Sequence, residues 1–130
     1  MASAIVEKAG GALSKGDLQA CVDCFSEDAV LTMHVNPAVI PHGGVHHGRA
    51  GVKHFFETAF SLLEVRKGEN LHIIAQGDIV IWRGWADICC RATKKSCKLQ
   101  YTITWHVKDG KIISYDELVN SAAEEALFTR

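Results

Sequence analysis

Apolar residues recur at helical spacing in three early stretches of this chain and at strand spacing through most of the remainder. Ile5, Val6, Ala9 and Leu13 predict a first helix over residues 3–14, with Gly16 just past its end. Leu18, Cys21, Val22 and Phe25 fall at i, i+3, i+4 and i+7 and predict a second helix, for which Asp17 is the N-cap. A strand is expected over 29–35, then a Pro- and Gly-rich loop over 36–48. The third helix is expected from near Arg49, its buried stripe made of Val52, Phe55, Phe56, Ala59 and Leu63. Beyond Glu69 only strands are predicted, at 70–76, 78–90, 97–107 and 111–120. Their turns lie at Gly77-Asp78, in the basic run 91–98 and at Asp109-Gly110.

Two of the strands differ in kind. Leu99, Tyr101, Ile103, Trp105 and Val107 alternate with Gln100, Thr102, Thr104 and His106, the pattern of a sheet with one buried face. By contrast, Ile79-Val80-Ile81-Trp82 is apolar on both faces. One face can cover the helices, and the other needs a second cover. The simplest cover is another copy of the same sheet, so a homodimer through the sheet is expected.

Composition narrows the function classes. The 130 residues suffice for one domain spanning 1–130, and 48% apolar with 22% charged residues gives both a core and a polar surface. At a net charge of −1, with the only basic run in a hairpin turn, the reading is of no nucleic-acid partner. No apolar stretch reaches the ~20 residues of a membrane-spanning helix, and no secretory signal opens the chain, so no membrane partner is expected. Five cysteines, an odd number, form no disulfide framework. Cys21 and Cys24 form a C-x-x-C pair, but only Cys21 falls on the buried stripe, so both read as ordinary thiols. A reducing, cytoplasmic location follows, with no metal and no cofactor expected.

The order of these elements, carried by Gly16-Asp17, Phe25-Ser26-Glu27-Asp28-Ala29-Val30, Gly48 with Val52 and Phe55-Phe56, Gly77-Asp78-Ile79-Val80 and Asp109-Gly110-Lys111-Ile112, resembles the nuclear transport factor 2-like superfamily. Within it the likeness is to the SnoaL-like polyketide cyclase and ketosteroid isomerase relatives, and it spans nearly the whole chain. The resemblance implies an α+β fold, three N-terminal helices packed in a cone-shaped, strongly curved antiparallel sheet (a cystatin-like α+β barrel). It also implies a deep apolar cavity open at one end. Members of the superfamily include isomerases, cyclases, dehydratases, epoxide hydrolases and non-catalytic assembly domains, so fold alone does not choose a function.

A ketosteroid isomerase-type site would need a phenol on the first helix, a carboxylate on the first strand and a protonated acid on a later strand. With the resemblance anchored on Gly16-Asp17, Asp28-Ala29 and Gly110-Lys111-Ile112, those positions fall near Ala9, Met33 and Ile103, none of which can donate, accept or titrate. An epoxide hydrolase-type site would need acids and an arginine to converge. Arg83, Asp87, Asp116 and Glu117 supply the types, but Arg83 and Asp87 read more simply as rim charges. On the last strand the same register turns Tyr115, Glu117 and Val119 into the cavity. A glutamate in an apolar cavity has a raised pKa and can act as a general acid or base. The resemblance places a carboxylate slightly later, where this chain has Asn120. Asp28, at the helix-to-strand turn, reads as structural.

Five of the seven histidines lie between 34 and 54. His42, His46 and His47 sit in the loop with no carboxylate nearby in sequence and read as solvated, with a role for the loop at the cavity mouth as the functional alternative. His34 is the candidate to reach the cavity, although its parity with Met33 allows only one of the two inside. The expected catalytic residues are therefore Glu117, Tyr115 and His34. The expected ligand pocket is Phe56, Trp82, Tyr101, Trp105, Met33, Ile103 and Val119, suited to a small hydrophobic or aromatic molecule. Two readings stand: an acid/base enzyme of isomerase, cyclase or hydrolase type without a cofactor, and a non-catalytic ligand carrier or assembly domain.

Overall fold

In the computed structural model, which describes residues 2–129, helix α1 (Ala2–Ser14) packs its Val6 and Ala9 side against the sheet. Gly16 takes a φ of +77°, and two bonds, Gly16 N–H to Leu13 O and Asp17 N–H to Ala12 O, close the helix end in a Schellman turn. Asp17 then caps α2 (Leu18–Val22), its carboxylate accepting from the Ala20 N–H at 3.1 Å. Helix α2 is only five residues long. Phe25, expected on its apolar face, instead opens strand β1 (Phe25–Met33) and is fully buried there.

The expected 36–48 loop contains a short strand, β2 (Gly44–His47), which pairs antiparallel to β1. Helix α3 (Gly48–Leu62) follows and lies against β1 with Val52, Phe55 and Phe56 buried. The long strands are β3 (Leu63–Gln76), β4 (Ile79–Cys90), β5 (Ser96–Lys108) and β6 (Lys111–Val119). Strand β3 starts directly after α3, several residues before the expected start at 70. Its first half, Glu64 to Asn70, is too polar to read as a strand because it is an edge exposed on both faces. The sheet order is β2-β1-β6-β5-β4-β3. Every neighbouring pair is antiparallel except β1 with β6, which is parallel, so the sheet is mixed. That pair joins the first and last strands, which the intervening chain brings round in the same direction.

The fold is the expected α+β cone: a curved sheet, left open between β2 and β3, with the N-terminal helices on its concave side. A fourth helix, α4 (Ser121–Phe128), was not foreseen. Asn120 caps it by accepting from the Ala123 N–H at 3.2 Å, so the residue standing where a carboxylate was considered is a helix cap. Leu127 and Phe128 pack against Leu63, Ile88, Cys90 and Leu99, closing the far end of the cone over a second, smaller apolar cluster.

Candidate functional site

Register across the sheet fixes which side chains face inward. Glu117 pairs with Ile103, Ile103 with Trp82 and Trp82 with Ile73, and this row lies on the concave face. The adjacent row, Asp116–Thr104–Ile81–Ile74, faces outward. The concave face and α3 enclose an inner chamber of about 250 Å³. It widens past Leu13, Phe60 and Tyr101 into an outer mouth of about 700 Å³, which reaches Trp82 and the start of β3.

Phe55, Phe56, Ala59 and Phe60 from α3, with Met33 and Ile103 from the sheet, make the chamber wall apolar. Into it project four polar side chains besides Tyr101: Tyr115, Glu117, His42 and Glu124. The Tyr115 hydroxyl donates to Glu117 Oε1 at 2.5 Å. Glu117 is half-buried, its open side being the chamber. Burial pushes its carboxyl from 4.5 up to about 7; the Tyr115 hydrogen bond pulls the other way, and the nearby Glu124 adds to the rise. Burial, then the Glu117 charge, holds the Tyr115 phenol well above its ordinary value. Tyr115 is therefore a fixed donor, and Glu117 is the group able to exchange a proton near neutrality. Tyr101 stands where chamber and mouth meet, its hydroxyl donating to Asn70 Oδ1 at 2.5 Å on edge strand β3.

The second polar pair corrects the expectation of a solvated His42. His42 is 2% exposed, not solvated, and its Nε2 lies 2.9 Å from Glu124 Oε2, with Glu124 1% exposed. The loop folds inward because Ile40 is a core residue and Gly43 packs against the Val35 backbone. The opposite ends of this pair, His42 Nδ1 and Glu124 Oε1, have no hydrogen-bond partner. Each such atom costs on the order of 1–3 kcal/mol when nothing meets it. The Phe55 ring lies between the two pairs, 5.8 Å from the His42 ring and 6.2 Å from Tyr115. The signal for Glu124 was present in Asn120 followed by Ser-Ala-Ala-Glu-Glu-Ala-Leu-Phe, a cap before good helix formers.

Of the expected site residues, Glu117, Tyr115, Phe56, Tyr101, Met33 and Ile103 meet at the chamber. His34 does not: Met33 takes the inward position, and His34 lies on the outer face with its Nε2 3.0 Å from both Asp116 oxygens. Trp105 is fully buried behind Tyr115, their ring centroids 4.7 Å apart, and is core rather than wall. Trp82 borders the outer mouth; Val119 pairs with Tyr101 and faces inward as expected, packing against the core rather than lining the chamber. Arg83 and Asp116 face outward while Glu117 faces inward, so the hydrolase-type set does not converge.

A family model described as a SnoaL-like domain matches residues 6–115. The chain belongs to the SnoaL-like domain family. Solved structures share its fold at low identity. An NTF2-like protein from Burkholderia xenovorans superposes with a TM-score of 0.89 at 21% identity, over 98% of this chain and 95% of that one. TerC, co-crystallised with polyporic acid, gives a TM-score of 0.86 at 18% identity over 98% and 97% of the two chains. A protein with a ketosteroid isomerase-like fold from Catenulispora acidiphila, in complex with trimethylamine, gives 0.76 at 14% identity over 95% and 92%. Comparison with curated protein sequences finds no match. No helix among the described residues of this SnoaL-like protein is long and apolar enough to cross a membrane.

Proposed function

We propose that this SnoaL-like protein binds a small, largely apolar ring compound in the inner chamber and moves a proton on it, with Glu117 as general acid or base. The observation that carries this reading is the Tyr115–Glu117 pair in an apolar wall. Burial brings the carboxyl to about 7, where both its protonated and ionised forms are populated at neutral pH. Tyr115 positions the carboxylate through one oxygen and leaves the other toward the chamber. Proton transfer between side chains and ligand needs no cofactor. The volume suits the ligand class, since an apolar cavity of about 150 Å³ accepts benzene and this one is larger. That TerC was crystallised with polyporic acid, and the Catenulispora protein with trimethylamine, supports small-molecule binding by this fold.

The working form is a homodimer through the outer sheet face, and the five free thiols fit a reducing cytoplasm. A second reading, a ligand carrier without catalysis, is favoured by one fact: Ala9, Met33 and Ile103 leave the isomerase-type positions without polar groups. The two separate on Glu117. Native mass spectrometry of the purified protein identifies the bound compound, and its conversion is followed in wild type and Glu117→Gln. The enzyme reading expects conversion lost with binding retained. Binding without conversion in wild type leaves the carrier.

A further inference from the structure

The geometry points to a second subsite in the chamber: the His42–Glu124 pair receives a hydroxyl or N–H group of the ligand through the unpartnered Glu124 Oε1. This deepens the proposed function and rests on its chamber, but on different residues. Four facts carry it. Both side chains are almost completely buried, and both line the chamber. Each holds the other through one atom, His42 Nε2 and Glu124 Oε2 at 2.9 Å. Each has its remaining polar atom without a partner. Finally, they come from separate elements, the 36–43 loop and α4, so the chamber is lined here by side chains 82 positions apart in the chain.

The chemistry of the pair selects the ligand group. An ionised Glu124 offers only acceptors, so Oε1 requires a donor from whatever reaches it. With Nε2–H donating to Glu124, a neutral His42 has an acceptor at Nδ1 and asks for a second donor. A protonated His42 has a donor there instead. A hydroxyl or an N–H satisfies Oε1 in either state, whereas an ether or a hydrocarbon leaves it orphaned. Glu117, on the other side of Phe55, meets a different part of the same molecule. The ligand class is therefore a compact ring carrying at least one hydroxyl or N–H group on its inner end.

The test compares phenol with toluene, which matches its shape and lacks the donor, by protein-observed NMR titration. Wild type is expected to bind phenol at least ~10-fold more tightly than toluene, the range of a hydrogen bond to a charged group. The preference should persist in Glu117→Gln and vanish in Glu124→Met. Because Glu124→Met strands His42, the double variant His42→Phe with Glu124→Met removes both polar partners together, a change that is close to neutral for folding. In wild type, the His42 ring nitrogen resonances should shift with phenol and stay still with toluene. A preference that survives the double variant, silent His42 resonances, or binding of neither probe overturns the subsite. A preference lost in Glu117→Gln alone overturns it too, while leaving the acid/base reading of Glu117 intact.

Discussion

Glu117 couples the chamber to pH through a sign that can be worked out. Its folded-state pKa, about 7, lies above the unfolded value near 4.5, so the folded protein holds the extra proton between those limits. Stability contributed by that proton is full below pH 4.5 and is lost as pH rises through 7. The displacement corresponds to roughly 3 kcal/mol of destabilisation at alkaline pH. Glu117→Gln, which keeps an acceptor for Tyr115, should remove this loss: thermal unfolding at pH 8 should show the variant more stable than wild type, and at pH 4 the two should converge. A variant no more stable than wild type at pH 8 would mean that Glu117 is solvated. Tyr115→Phe deletes the one bond that holds the carboxyl down. Its effect should be a further rise in the Glu117 midpoint, read from the side-chain carboxyl carbon by NMR; a fall would reverse the assignment of the donor.

Among the elements, those with strong periodicity were legible and those stabilised by tertiary context were not. The third helix and strands β4 to β6 followed from spacing alone, because each has one face that only burial explains. The inward turn of Tyr115 and Glu117 on β6 came instead from the register that the family resemblance implies, anchored on Gly110-Lys111-Ile112. Phe25 was placed in a helix because its spacing fits one; pairing with Ile112 on β6 overrode it. The start of β3 was lost because an edge strand at a cavity mouth has no buried face, and α4 because eight residues give too few turns for a stripe. His42 could not be located without α4, since its partner lies 82 positions away.

Two substitutions test these elements. Asn120→Ala removes the α4 cap at about 1 kcal/mol, and the amides of 121–128 should lose hydrogen-exchange protection before those of β6. Gly84→Ala places a methyl against the Glu69 carbonyl and 2.7 Å from the Tyr101 hydroxyl. It should cost roughly 1–3 kcal/mol and loosen the β3 edge, because neither backbone nor ring has room to yield. Wild-type stability in Gly84→Ala would show that β3 is not held against β4 as described.

For the whole molecule, the outward face of the sheet poses the remaining problem of burial. A row running Val45, Thr32, Asp116, Thr104, Ile81 and Ile74 crosses all six strands without interruption. Val45, Ile74, Ile79 and Leu118 on this face are each between 41% and 59% exposed. Threonines and isolated charges separate them, so the surface tolerates water, and in the proposed homodimer this face would pair with itself. A two-fold contact uses the same patch twice, and a stable one covers about 800 Å² on each partner. Ile81 lies at the centre of the row, and its side chain points away from the chamber. In the proposed dimer, Ile81→Glu would therefore set two carboxylates against each other across the two-fold axis without touching the Glu117 wall. Analytical ultracentrifugation should find twice the chain mass for wild type and a monomer for Ile81→Glu. The Glu117 titration should be the same in both, because the sheet separates the two faces. A wild-type monomer at tens of micromolar would exclude this interface, and a shifted Glu117 midpoint in the variant would show that the faces communicate through the sheet.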